Sequence, residues 1–219
     1  MSDWEQLARE DAVAAIDPTQ AGTDIAALRA SGAALVADIV SWVAPPRGHA
    51  LEIGIGVGRN LVHLAELFER VDGVDVSPTM VELAREHGLP ENVAVQATDG
   101  RDLAPFADDT FHFVFSTLVF QHVPDEELVA SYIRETARVL KPGGRAALQF
   151  DTRELMLLAR AGRLLPDALL PGVHRRAMRR YPRTSAWVRE TVHAAGLGIR
   201  AERGPDTALH WLSLYNPGG

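Results

Sequence analysis

"ALEIGIGVGRN", residues 50–60, sets three glycines at alternate positions directly behind a short apolar run. Glycine is the residue a chain uses where a side chain would be in the way. "HALEI" reads as a buried strand and "NLVHLAELF" as the helix that follows. A strand, a glycine-rich turn and a helix together build an anion and nucleotide site. Backbone N–H groups at the helix start point at the ligand, and the helix dipole favours negative charge there.

The pattern continues outward from this loop. "RVDGVDV", "NVAVQATD", "FHFVFST" and "RAALQF" read as further strands. Between them lie "SPTMVELAREHG", a helix with Pro78 in its first turn and Gly88 as its stop, and "PDEELVASYIRETARVL", closed by "KPGG". Strands alternating with helices of this length imply right-handed βαβ units and a mostly parallel sheet. Upstream, residues 3 to 16 and 24 to 43 carry apolar positions at helical spacing, and "APPRG" stops the second helix. Downstream, residues 151 to 183 are broken by Pro166, Pro171 and Pro182, and helix 184 to 195 ends at Gly196. "GIRAERG" and "TALHWLSLYN" are expected to form a closing antiparallel pair. The expectation is one domain over residues 1–219, with a helical cap at 1–44 and a helical, substrate-covering insertion at 151–183.

Composition narrows the function. The chain has 219 residues, 47% of them hydrophobic, enough for a proper core. A net charge of −7 argues against a generic nucleic-acid binder. With no cysteine, disulfides, thiolate metal sites and cysteine nucleophiles are excluded. The charged start "MSDWEQLARE" is no signal peptide, and no apolar run is read as approaching a bilayer span. The expected location is the cytoplasm, with no membrane partner.

An acid that holds a ribose should lie about 20 residues beyond the glycine loop, at the end of the second strand. Asp75, closing "VDGVD", is in that place. The dinucleotide fingerprint G-x-G-x-x-G does not fit, because the third glycine comes one residue early and Arg59 stands where it should be. With Glu52 leading, the motif is E-x-G-x-G-x-G. This resembles the first motif of the class I S-adenosylmethionine-dependent methyltransferases. "GVDVSPTMVELA" looks like their second motif, "VQATDGRDLAPFADDTFHFVFS" like the third and fourth, and "RVLKPGG" like the loop before the fifth strand. The match runs in order over residues 49 to 150 and is most similar to the small-molecule branch.

The resemblance implies an α/β fold: a Rossmann-like, doubly wound sheet, mostly parallel with an antiparallel C-terminal strand and helices on both faces. It implies S-adenosylmethionine as methyl donor and S-adenosylhomocysteine as product. Gly54, Gly56 and Gly58 would wrap the methionine part and Asp75 would bind the ribose hydroxyls. Ser77 and Met80 would flank the adenine, and Asp99 would accept its amino group, with Thr98 and Gly100 beside it. Ser116 would face the methionine moiety, and Glu52 would position the loop or reach the cofactor's amino group through it. One departure is His112, where the family often has an acid; a structural substitute is expected there.

Methyl transfer from a sulfonium is an in-line displacement, chiefly a positioning task, and no metal is expected. A hydroxyl or ammonium nucleophile must also lose a proton. His122 is the candidate base, although it can equally bond a carbonyl or dock the next helix. Phe120, Gln121, Gln149, Asp151 and Arg153, after the fourth strand and around the fifth, are candidate substrate contacts. Gln149 is either a core hydrogen bond or such a contact. The arginines of the insertion either solvate helix faces or meet a carboxylate or phosphate. The expected activity is methylation of an oxygen or nitrogen of a small molecule, acidic or aromatic, by a monomer or homodimer. An RNA or protein methyltransferase and a non-catalytic cofactor-binding subunit are the alternatives, and carbon methylation stays open.

Overall fold

The computed structural model describes residues 3–16, 24–154 and 179–218. The sheet is built from β1 (His49–Ile53), β2 (Arg70–Asp75), β3 (Val93–Ala97), β4 (Phe111–Ser116), β5 (Leu140–Phe150), β6 (Gly198–Arg203) and β7 (His210–Tyr215). Their spatial order is β3-β2-β1-β4-β5-β7-β6. The first five strands are parallel, Ala50 pairing with Val71 on one side and Phe113 on the other. β7 runs antiparallel to both β5 and β6, so the closing pair forms as expected.

The helices are α1 (Asp3–Ile16), α2 (Ile25–Ala30), α3 (Gly32–Val43), α4 (Leu61–Ala65), α5 (Pro78–Glu86), α6 (Glu126–Val139) and α7 (Ser185–Ala194). Four begin at side-chain caps, which satisfy N–H groups a helix start leaves open. Asp24 accepts the Ala27 N–H, Ser77 Oγ the Met80 N–H, Asp125 the Glu127 N–H and Thr184 the Trp187 N–H. The side chains of the central strands alternate between two faces. Leu51, Val114 and Leu148 meet Ile133 and Val188 on one face. Ala50, Phe113 and Phe115 meet Val36, Val40, Leu64 and Val81 on the other. Strands buried on both sides in this way read as continuous apolar runs, which is what "FHFVF" shows.

Several boundaries differ from expectation. The helix expected over residues 24 to 43 is two helices broken at Ser31. Ile25–Val43 is nonetheless a 19-residue run of mean hydropathy 1.4, long and apolar enough by length and composition to cross a bilayer, contrary to the expectation that no run approaches that length. Here Val36, Ile39, Val40 and Val43 of α3 are buried against the sheet instead. "NLVHLAELF" is helical only over Leu61–Ala65. "KPGG" is not a loop, because β5 starts at Leu140 directly after α6, with a register shift opposite Phe111–Phe113. Of the expected insertion 151–183, residues 155–178 lie outside the described residues.

The strand order places the chain's reversal between β1 and β4. In a doubly wound sheet the crevice at this switch point, beyond the carboxyl ends of the strands, receives ligands. A third apolar cluster roofs it: Ala8, Val13 and Ala15 of α1 and Leu28 of α2 pack with Val57 and Met80.

Candidate functional site

A cavity of about 330 Å³ opens at the switch point. Its floor is the loop after β1, with Gly54, Gly56, Arg59 and Asn60; Val74, Asp75 and Val76 come from β2, and Asp99 and Gly100 from beyond β3. The fourth strand's loop contributes Thr117, Leu118, Val119 and His122, α6 contributes Tyr132, and α1 contributes Trp4, Ala15 and Ile16.

The glycines have a steric reason. Gly54 has φ +79°, and a Cβ there would lie 2.2 Å from Val119 Cγ2. Gly56 has φ +53°, and its Cβ would lie 2.6 Å from Ile16 Cδ1. Any side chain would therefore displace both walls of the cavity. Asp75 ties the loop to β2: its Oδ2 accepts the Gly56 N–H at 2.8 Å and its Oδ1 the Ser77 N–H at 2.9 Å. Burial pushes this carboxyl upward, against the pull of those N–H groups. Each oxygen keeps a lone pair for a further donor.

Behind the loop, Glu52 is completely buried on β1, and its Oε1 accepts Asn60 Nδ2–H at 2.9 Å. Desolvation raises its pKa to about 8, so it is largely neutral at pH 7. Gly58 lies against the guanidinium of Arg29. Arg29 donates to four carbonyls: Val57 in the loop, and Ala84, His87 and Gly88 at the C-terminal end of α5. A cation is favoured at that end of a helix. Glu5 of α1 does the converse at the other end of α5, accepting the hydroxyls of Ser77 at 2.6 Å and Thr79 at 2.7 Å. These bonds hold its pKa at about 2. Neither Arg29 nor Glu5 stands in a motif; each is recognisable only once α1 and α2 are folded over the loop.

Of the residues expected to hold a cofactor, Gly54, Gly56, Asp75, Met80, Asp99 and Gly100 line the cavity. Glu52, Gly58, Ser77 and Thr98 are not among the residues that line it. Ser116 does not face the cavity: it is fully buried and its Oγ donates to Ile53 O at 3.1 Å, leaving Thr117 on the wall. His112 accepts the His49 N–H through Nδ1 at 3.0 Å, a structural contact as expected.

The expected substrate contacts fall elsewhere. Phe120 is buried and stacks on Phe150 at 5.3 Å. Gln149 Oε1 accepts the Leu118 N–H at 2.7 Å, while its amide nitrogen donates to Phe150 O and Ala208 O at 3.0 Å. That is the core alternative for Gln149. Asp151 is buried and paired with Arg153 at 2.9 Å, with Arg180 at 3.6 Å. Gln121 is buried and lies 2.9 Å from His122 Nε2. His122 does line the cavity, edge-on to Trp4 with centroids 5.1 Å apart. Its Nδ1 is 3.0 Å from Arg179 O, so Nδ1–H donates there and Nε2 accepts from Gln121. Burial lowers its pKa to about 4.

The residues present fit an adenosine-bearing sulfonium: a loop bare of side chains, an acid with free lone pairs at the end of β2, and an apolar wall. Residues 51–148 match the methyltransferase domain family. Methyltransferase GfsG of Streptomyces halstedii is 38% identical over 107 residues, 46% of this chain and 37% of that protein. The ubiquinone biosynthesis O-methyltransferase of Xanthomonas oryzae pv. oryzae is 36% identical over 100 residues, 45% of this chain and 41% of that one. The chain thus matches less than half the length of these curated relatives. Among solved structures, the magnesium protoporphyrin IX methyltransferase of Synechocystis PCC 6803 with bound S-adenosylhomocysteine superposes with a TM-score of 0.63. It is 21% identical, covering 86% of this chain and 85% of that one, a likeness of fold. Fold and cavity define a Rossmann-like nucleotide-site protein. Over residues 51–148 the chain matches the methyltransferase domain family, and its fold is like that of S-adenosylmethionine-dependent methyltransferases of known structure.

Proposed function

We propose that this protein transfers the methyl group of S-adenosylmethionine to an oxygen or nitrogen of a small apolar or aromatic molecule. The observation that carries it is the cavity at the switch point, where Asp75 and Asp99 mark successive strand ends on one side and Trp4, Val119 and Leu128 form an apolar wall. Bound there, S-adenosylmethionine supplies a sulfonium-activated methyl group for in-line displacement.

The chain's own part is mainly positioning. Asp75 offers its remaining lone pairs to a pair of vicinal hydroxyls while holding the Gly56 N–H. Met80 supplies an adaptable apolar contact. Tyr132, whose pKa burial raises to about 12, stays protonated and neutral on the wall. α1 lies over the cavity and excludes water there through Trp4 and Ile16. Because both nitrogens of His122 are engaged, its ring orients the wall; acting as a base would first require Gln121 to release Nε2.

Titration calorimetry with S-adenosylhomocysteine tests the donor half of this reading. Wild-type protein should bind it, and absence of binding would sink the assignment. Transfer of radiolabelled methyl from S-adenosylmethionine onto a panel of phenols, carboxylic acids and amines tests the acceptor half. Turnover of phenols or amines supports the reading, whereas label confined to protein or RNA would overturn it.

A further inference from the structure

Glu5 is a buried carboxylate on α1, in a seat where apolar side chains would serve for packing alone. It accepts from Ser77 Oγ at 2.6 Å, Thr79 Oγ1 at 2.7 Å, the Thr79 N–H at 3.2 Å and Arg9 Nε at 2.9 Å. Three of these donors belong to α5 and its cap, so the carboxylate seats α1 on the helix that follows β2. Burying a charge is costly unless it is bonded in this way, and hydrogen bonds are directional. The seat therefore fixes where α1 lies along α5.

What α1 carries gives the seat a purpose. Trp4, next to Glu5 in the chain, lines the cavity edge-on to His122, with centroids 5.1 Å apart. Ile16, at the other end of α1, lies against Gly56. The backbone leaves helical geometry at Asp11, with φ −161° and ψ 94°. The half that carries Trp4 and Glu5 can therefore turn independently of the half that carries Ile16. On its other side the seat is joined to the glycine loop through Ser77. The Ser77 N–H donates to Asp75 Oδ1 at 2.9 Å and its hydroxyl donates to Glu5, while Asp75 Oδ2 accepts the Gly56 N–H at 2.8 Å. One unbroken run of hydrogen bonds leads from the loop through Asp75 and Ser77 to α1.

We propose that Glu5 is a positioning residue that couples occupation of Asp75 by the methyl donor to the seating of Trp4 beside His122. The inference rests on the reading that S-adenosylmethionine occupies this cavity. A donor hydroxyl on Asp75 steadies the carboxylate that holds Ser77, and Ser77 in turn holds Glu5. Coupling of this kind is reciprocal: the donor favours a seated α1, and a seated α1 retains the donor. The donor binds first and completes the wall that the acceptor meets. S-adenosylhomocysteine leaves last, as the first half of α1 unseats.

Hydrogen exchange with and without S-adenosylhomocysteine, together with its dissociation rate by stopped flow, gives the test. The proteins are wild type, Glu5→Gln, Thr79→Val and the double variant. Glu5→Gln sets an amide N–H against the α5 donors, and Thr79, which does not line the cavity, loses only its hydroxyl. In wild type, S-adenosylhomocysteine should slow exchange across residues 3–10 by at least about 10-fold. Glu5→Gln should abolish that protection and release the ligand about 10- to 100-fold faster, with exchange in β1 and β4 unchanged. Thr79→Val should act in the same direction more weakly, and the double variant should stay close to Glu5→Gln, because both remove one interaction. Exchange across residues 3–10 that ignores the ligand in wild type overturns the inference, as does a wild-type dissociation rate in Glu5→Gln. If Glu5→Gln loosens β1 and β4 as well, Thr79→Val decides: unless it speeds release while those strands stay protected, the inference falls. If wild type binds no S-adenosylhomocysteine, the donor reading itself falls and takes this one with it.

Discussion

Gln149 Oε1 accepts the Leu118 N–H at 2.7 Å, and Leu118 sits on the cavity wall with φ +60°. A leucine in the left-handed region is strained, and such strain persists only where the surroundings impose it. The buried amide in the middle of β5 supplies that constraint, through one acceptor and three donor contacts to Phe150, Ala208 and Gln121. Replacing Gln149 by Leu removes the acceptor of the Leu118 N–H and the donor to Phe150 O, Ala208 O and Gln121 Oε1. The expected cost is about 2–4 kcal/mol, read as a shift in the urea midpoint at unchanged m-value. A loss below about 0.5 kcal/mol would show that the loop holds its own shape.

Arg29 should be as costly to remove. Its guanidinium satisfies four carbonyls, three of them at the end of α5, and one bond reaches the glycine loop at Val57. Arg29→Met keeps the stem and discards the donors, with an expected loss of about 3 kcal/mol. Because Val57 O is released with the rest, affinity for S-adenosylhomocysteine should fall in the same variant. Full affinity at reduced stability would confine Arg29 to packing α2 on α5.

Glu52 gives the stability curve a definite sign. Its folded pKa, about 8, lies above the ordinary glutamate value of 4.5 because desolvation outweighs Asn60 and Arg59, with Asp75 adding repulsion. The folded state therefore binds more protons than the unfolded state between those values. Stability is complete below about pH 4.5 and declines as pH rises toward 8, by up to about 1.4 kcal/mol per pH unit. Glu52→Gln should flatten that decline in urea melts taken from pH 5 to 8. An identical slope in both proteins would assign the proton to another group.

Much of this molecule is legible in the chain because the signals are local. Alternating apolar runs mark the strands, Ser77-Pro78 and Asp125 mark helix starts, and the distance from Gly54 to Asp75 is one βαβ step. What escapes is set by contacts between distant segments. Arg29 meets residues 28 to 59 positions away, and Glu5 meets Ser77 and Thr79 more than 70 positions on. Ser116 illustrates a finer limit. Its place at a strand end suggested the cavity, yet its hydroxyl turns to the Ile53 carbonyl and the wall begins one residue later. Gln149 stood out as polar in an apolar strand, but only the fold reveals that its partners are backbone groups.

Asp75 ties the loop to β2 and lines the cavity, so its removal should act on both. Asp75→Ala deprives the Gly56 and Ser77 N–H groups of their acceptor and, on the function proposed above, removes the acceptor for a ribose. S-adenosylhomocysteine affinity is expected to fall at least about 100-fold, as two charge-assisted contacts are lost. Asp75→Asn, which retains one acceptor oxygen, should lie between. Calorimetry on the three proteins decides, and equal affinity in wild type and Asp75→Ala would remove Asp75 from the site.

His122 separates positioning from proton transfer. Burial holds its pKa at about 4, so the ring is neutral at physiological pH, with Nδ1–H on Arg179 O and Nε2 on the Gln121 amide. A base acts in its neutral form, so a proton-accepting His122 would impose an acid limb in which the rate falls as pH drops through about 4. It would also be worth about 10²–10⁴ in rate. A ring that only shapes the wall beside Trp4 predicts something different. His122→Asn should then lower kcat by no more than about tenfold, raise KM for the acceptor, and leave the pH profile unchanged in form. With an acceptor identified, pH–rate profiles of the two proteins distinguish these outcomes. The engaged nitrogens favour the smaller effect, and a loss beyond 100-fold together with disappearance of the acid limb would establish His122 as the base.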